Sequence, residues 1–194
     1  MISDRGQRRL EIEVKQGTPI FLKDIPSRSS RPLTSGIREL PHCQLSENPR
    51  EEIWKLLCSR IAESQKSLFV GSTGPKPSLT PLPDTLAFFL DGCPCKTPMV
   101  PRKVGTEWAH VHGKEDGSLH LVLSNADVET VICKNWGERH PILWMGGGGA
   151  GGFPEGLVLI YAPRTLEEID TIIEILTASY LFARGDSLPL KYSP

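Results

Sequence analysis

The chain has 194 residues, with 22 Lys+Arg against 23 Asp+Glu and a formal net charge of -1. That length suits one ordinary domain able to bury its own core, and the balanced charge argues against a dedicated nucleic-acid or anionic-membrane binder. Periodic apolar segments recur and 39% of residues are hydrophobic, which excludes disorder throughout.

The charged start MISDRGQRRLEIEV lacks the apolar stretch of a secretory signal. No run approaches the ~18 apolar residues of a membrane-spanning helix. The five cysteines (Cys43, Cys58, Cys93, Cys95, Cys133) are odd in number and without a regular framework. A cytoplasmic protein with neither a nucleic-acid nor a membrane partner is expected.

In chain order, residues 1–47 mix charge, Pro and Ser, with a short apolar patch at Ile20 to Leu22. They read as an arm wrapping a domain that spans residues 48–194. Asn48-Pro49-Arg50-Glu51 is a helix start, and Ile53, Trp54, Leu57 and Ile61 give that helix one apolar face to about Gln65. Ser67 to Val70 reads as a short strand, and Gly71 to Pro83 as a Gly/Pro connection outside regular structure. Thr85 to Leu90 is a buried strand. Trp108 to His112 and Ser118 to Leu123 alternate about the turn Gly113 to Gly117, predicting a β-hairpin. Ser124, with Asp127 at the reciprocal position, caps a helix that runs to Asn135-Trp136-Gly137. Gly137 breaks this helix and leaves Glu138, Arg139 and His140 on a polar turn. After a Gly-rich loop comes the strand Leu157 to Ala162. The capping box Thr165 to Glu168 then opens an amphipathic helix through Ile169, Ile172, Ile173, Leu176 and Tyr180, ending near Gly185. These elements predict an α+β fold, one domain with a mainly antiparallel sheet and helices packed on one face.

Four of the five histidines fall in one window: His110, His112, His120 and His140. Two residues apart on a strand, His110 and His112 share a face, and the hairpin can bring His120 and Ser118 to them. Imidazole titrates near neutrality, so the group suits general-base work. H-x-H plus a third His also supplies three metal ligands. Glu115 extends this to H-x-H-x-x-E, but its place in the hairpin turn reads better as a solvated residue, and no bound metal is expected. In WGERHP, Glu138 and Arg139 can orient His140; in YAPR, Arg164 can clamp an anionic oxygen. Gly146 to Gly152 fails the context of a dinucleotide loop, since a strand follows it, and reads as a loop over the site. Cys93-Pro94-Cys95 has no second cysteine pair to complete a zinc site.

The run EWAHVHGKEDGSLHLVLSNAD, then NWGERHPI, then YAPRTLEEIDTIIEILTASYLF, resembles the fungal luciferase-like domain family, from about Glu107 to Gly185. The matching positions are His110, His112, His120, Trp136, Gly137, Arg139, His140, Tyr161 and Arg164. The resemblance implies a small-molecule enzyme of fungal specialised, polyketide-type metabolism that acts on an enolisable or pyrone-like substrate. Fungal luciferases oxygenate a hydroxylated α-pyrone without flavin or nicotinamide, so no cofactor is expected, with O2 as a co-substrate. They also carry an N-terminal hydrophobic anchor that this chain lacks, which implies a soluble relative. His110, His112, His120, His140, Arg139 and Arg164 are the expected catalytic residues. Ser118, Trp136, Trp144 and Tyr161 are the expected substrate contacts. Two other functions compete with oxygenation. One is a redox-neutral cyclase or isomerase, pericyclase-type cyclisation included, and the other a small-molecule-binding protein without turnover.

Overall fold

The computed structural model describes residues 20–22, 24–31, 51–78, 84–91, 106–114, 116–140, 143 and 153–185. Helix α1 spans Glu51–Ser67 and buries Ile53, Leu57 and Ile61 at helical spacing. The sheet strands are β1 (Ser72–Pro77), β2 (Leu86–Leu90), β3 (Glu107–Val111), β4 (Leu119–Val122), β5 (Gly137–Arg139) and β6 (Leu157–Ile160). Helix α2 (Asn125–Cys133) lies between β4 and β5, and α3 (Leu166–Arg184) follows β6. The six strands form one antiparallel sheet in the order β1-β2-β3-β4-β6-β5. This is the α+β domain expected from the sequence.

Strand alternation gives the sheet two different faces. Phe88, Ala109, Leu121 and Val158 stand in one cross-strand row, and all four belong to the main hydrophobic core. Helices α1 and α3 pack together, α1 against β1 and α3 against β3 and β4. At the centre of this core Trp108 and Phe69 lie 5.3 Å apart, and Tyr180 of α3 is 5.5 Å from Trp108. The opposite face carries the neighbouring row Ala87, His110, His120, Leu159 and Glu138.

Three predicted elements differ from the structure. Ser67 to Val70 is the end of α1 and a turn, and the strand begins after it, at Ser72 within the Gly/Pro segment expected to be irregular. β1 is an edge strand, where prolines are tolerated because one side of the backbone needs no partner, and its register with β2 is broken between Thr73 and Lys76. The predicted turn at Glu138 to His140 is largely strand: Gly137–Arg139 pairs with β6 as the other sheet edge. A glycine is required there, since a Cβ on Gly137 would stand 2.2 Å from the Leu159 carbonyl oxygen.

The predicted caps are observed. Thr165 accepts from the Glu168 N–H, and Gly185 closes α3 in the left-handed region at φ 71. Ser124 accepts from the Asp127 N–H at 3.2 Å. The Asp127 carboxylate does more than complete this cap: it accepts the Ser124 hydroxyl at 2.8 Å and the backbone N–H groups of Phe21 and Leu22 at 2.9–3.1 Å. Seven residues further, Arg28 is buried and donates to the Ala162 carbonyl at 2.7 Å and to Glu168 at 3.2 Å. The segment from Ile20 to Arg31 is thus held by one carboxylate at one end and one guanidinium at the other.

Substituting Asp127 by Ala removes both the cap partner and the acceptor of two backbone donors. The expected result is a loss of about 2–3 kcal/mol in unfolding free energy, measured by urea denaturation. A loss below about 0.5 kcal/mol would show that this carboxylate does not anchor the segment.

Candidate functional site

The β3–β4 hairpin builds the site by register. His110 and His120 are directly paired across the two strands. One step further along, the His112 N–H donates to the Ser118 carbonyl at 2.9 Å, which places Ser118 beside His112. The imidazoles of His110, His112 and His120 are 2, 4 and 5% exposed. Their ring centroids are 5.3 Å apart for His110 and His112, 4.8 Å for His110 and His120, and 4.5 Å for His112 and His120. His140, just beyond β5, brings a fourth imidazole to 4.4 Å from the ring of His120. Its position is set by its own N–H, which donates to the Leu157 carbonyl.

Two carboxylates orient this group. His110 Nδ1 lies 2.7 Å from Glu107 Oε1, and His112 Nδ1 lies 2.7 Å from Asp116 Oδ2. In each pair the carboxylate accepts, which assigns the proton to Nδ1 and turns the lone pair of Nε2 inward. The Nε2 of His110 faces Nδ1 of His120 at 3.0 Å and accepts its proton. Glu107 and His110 are three residues apart and would point to opposite faces of a regular strand. They meet because Phe88 pairs with Ala109 while Phe89 pairs with Glu107, so β3 carries one extra residue, a β-bulge. The Ser78 hydroxyl donates to the same Glu107 carboxylate at 3.2 Å.

Burial sets the electrostatics. It lowers the pKa of His110, against the opposing effect of the hydrogen bond that His110 donates to Glu107. Burial alone would raise Asp116, but the hydrogen bonds from His112 and Ser118 outweigh it and hold the carboxyl below its ordinary value. Both effects favour a neutral imidazole at His110 near pH 7 and an anionic carboxylate behind His112.

The other expected residues lie around this centre. Glu138 stands in the same cross-strand row as His120, with Leu159 between them, and accepts from the Tyr161 hydroxyl at 3.2 Å. Burial raises the pKa of both groups. Trp136 and Tyr161 flank the Arg28 guanidinium at 5.8 and 5.7 Å, and the Trp136 indole donates to the Pro26 carbonyl. Arg139 donates to Glu129 at 2.8 Å and to the Glu155 carbonyl. Arg164 donates to Glu168 at 2.8 Å and to Ser29 and Ser30. The described contacts of the two arginines thus lead to these partners, whereas the four imidazoles and Ser118 are brought together. Glu115, Trp144, Cys93, Cys95 and the Gly146 to Gly152 loop lie outside the described residues. Glu107 and Asp116 are the participants that the sequence did not single out. Asp116 was hidden among turn residues, and Glu107 by a bulge that strand alternation does not show.

A family model for the Luciferase domain matches residues 105–179. A luciferase from Neonothopanus nambi is 30% identical over 174 residues, covering 86% of this chain and 63% of that protein. Luciferases from Armillaria ostoyae and Armillaria mellea are 39% identical over 85 residues, 44% of this chain and 31% of theirs. The chain therefore spans less than two thirds of the length of these relatives. No solved structure matches it. Among the described residues no helix is long and apolar enough to cross a membrane. The matched segment contains the whole hairpin, its two carboxylates and His140, and over residues 105–179 this chain is similar to the Luciferase domain found by that model and to the fungal luciferases.

Proposed function

We propose that this protein is a small-molecule enzyme whose buried imidazoles take the proton of an enolisable or pyrone-like, polyketide-type substrate. The anion formed then reacts with O2, without flavin or nicotinamide. The observation that carries this reading is the packing of four imidazoles on one sheet face, two of them fixed by carboxylates. A structural role needs no such concentration of titratable rings, and clustered perturbed groups mark reactive sites. The family of fungal luciferases supports the small-molecule reading.

In the proposed reaction the enol O–H bond breaks, the proton passes to imidazole nitrogen, and the electron pair stays on the substrate. That anion supplies the electrons for a new carbon–oxygen bond to O2. His140, adjacent to His120, is placed to steady the developing oxyanion. Leu159 stands between His120 and Glu138 in one cross-strand row, about 10 Å by strand spacing. Ser118 belongs to the same face, and Trp136 shapes the border through Arg28. Arg139 and Arg164 act as positioning residues that brace the strand ends next to His140 and Tyr161.

The test is oxygen uptake with a panel of hydroxylated α-pyrones and enolisable polyketide lactones. O2 consumption in step with product is expected, and His112→Ala or His120→Ala, with folding checked by circular dichroism, should lower turnover ~10²–10⁴-fold. Product formed without O2 uptake would replace oxygenation by redox-neutral cyclisation or isomerisation. Saturable binding without turnover would replace both by a binding protein.

A second measurement reads the lowered pKa of His110. Between the ordinary value of 6.5 and the lowered folded value, the unfolded chain binds a proton that the folded chain refuses. Stability therefore falls as pH drops below about 6.5. Asp116 acts in a separate interval, below its ordinary 3.8, because its folded pKa is depressed. Thermal melts in the presence of a chelator should show the first loss, and Glu107→Gln, which removes a raising contribution, should extend it to lower pH. A melting temperature unchanged between pH 7.5 and 5.5 would contradict the assignment.

A further inference from the structure

We propose that His110, His112 and His120 form a binding site for one divalent first-row transition-metal ion. One ring nitrogen from each of the three buried imidazoles lies within 4.8 Å of the other two. Hydrogen bonding selects the nitrogens. His110 and His112 spend Nδ1 on Glu107 and Asp116, so each presents Nε2, and His120 presents Nδ1 toward His110 Nε2. Two carboxylate–imidazole pairs of this kind, both at 2.7 Å, have the arrangement that orients histidine ligands and raises their basicity in metal sites.

The 3.0 Å separation of His110 Nε2 and His120 Nδ1 is bridged by a shared proton. On binding, the ion takes the place of that proton, and His120 moves its own to Nε2. Ligand nitrogens sit ~2.0–2.1 Å from zinc, so a modest swing of the three rings closes the set around one ion. Three imidazoles select zinc, iron, cobalt, nickel or copper over magnesium or calcium, which prefer oxygen. The sequence pointed to a metal-free site on two grounds: Glu115, the carboxylate weighed as a ligand, belongs to a turn, and the family resemblance implies metal-free chemistry. In the structure the carboxylates stand behind the imidazoles and need not touch the ion.

A three-histidine site keeps an open coordination position. The substrate class follows from the reading proposed above: an enolate or pyrone oxygen would occupy that position, beside His140, whose ring lies 4.4 Å from that of His120.

Occupancy is measured without substrate, so its failure and the failure of the reaction reading are distinguishable. The full chain is purified without nickel affinity or chelator and its metal content determined by elemental analysis. The stripped protein is then titrated with Co2+ and followed by visible d–d absorption, and with Zn2+ by calorimetry. About one ion per folded chain is expected, with the Co2+ signal lost in His110→Ala/His112→Ala. Glu107→Gln and Asp116→Asn keep every ligand and should weaken affinity ~10–100-fold, so the test survives if the histidine variant does not fold. Folded wild-type protein that neither retains an ion nor gives a saturable Co2+ spectrum would overturn the proposal. So would carboxylate variants with unchanged affinity, or a Co2+ signal that persists in a folded His110→Ala/His112→Ala variant.

Discussion

Imidazoles buried side by side on one face of a sheet cannot leave their ring nitrogens to water, and this requirement organises the site. Register alone sets His110 against His120, and their rings share one proton. The outer nitrogens of His110 and His112 need acceptors of their own, and a charged acceptor is worth more in a buried setting than a neutral one. Glu107 and Asp116 fill that need from opposite ends of β3, one through a bulge and the other through the hairpin turn. Loss of either carboxylate would leave a buried donor unsatisfied and release the ring it holds.

The rest of the fold supports that arrangement from behind. Helix α3 packs on the opposite side of β3 and β4, with α1 against α3 and β1, so the strands that carry the histidines are fixed by ordinary apolar packing. The segment from Ile20 to Arg31 adds a second restraint at the far edge. Arg28 there contacts Trp136, Tyr161 and Glu168 together, tying the start of β5, the end of β6 and the start of α3 to one cation. Trp136 and Tyr161 thus serve that restraint, while the histidines serve the centre.

Much of this was legible in the sequence where a single local rule decides the outcome. The period-two pattern of SLHLVL, the Gly-bounded turn before it, and the caps at Ser124, Thr165 and Gly185 gave the hairpin and both later helices. Short edge strands were not legible. In β1, Pro75 and Pro77 read as breakers, and only an edge position makes them tolerable. In β5 the three residues Gly137–Arg139 carry no period at all, and their strand character comes from pairing with β6. The four histidines were found by clustering. Glu107 escaped because one extra residue in β3 reverses the face on which it lands, and that residue is visible only against β2.

Proton handling and metal binding make the same demand on this centre: His110 and His112 must be held with Nδ1 protonated and Nε2 turned inward. Long-range proton–nitrogen correlation NMR on chelator-treated protein reads those tautomers directly. The expected result is Nδ1–H on His110 and His112, with His112 losing that preference in Asp116→Asn. Rings protonated at Nε2, or averaging rapidly between the two tautomers in the wild-type protein, would contradict the carboxylate-oriented cluster on which both proposals stand.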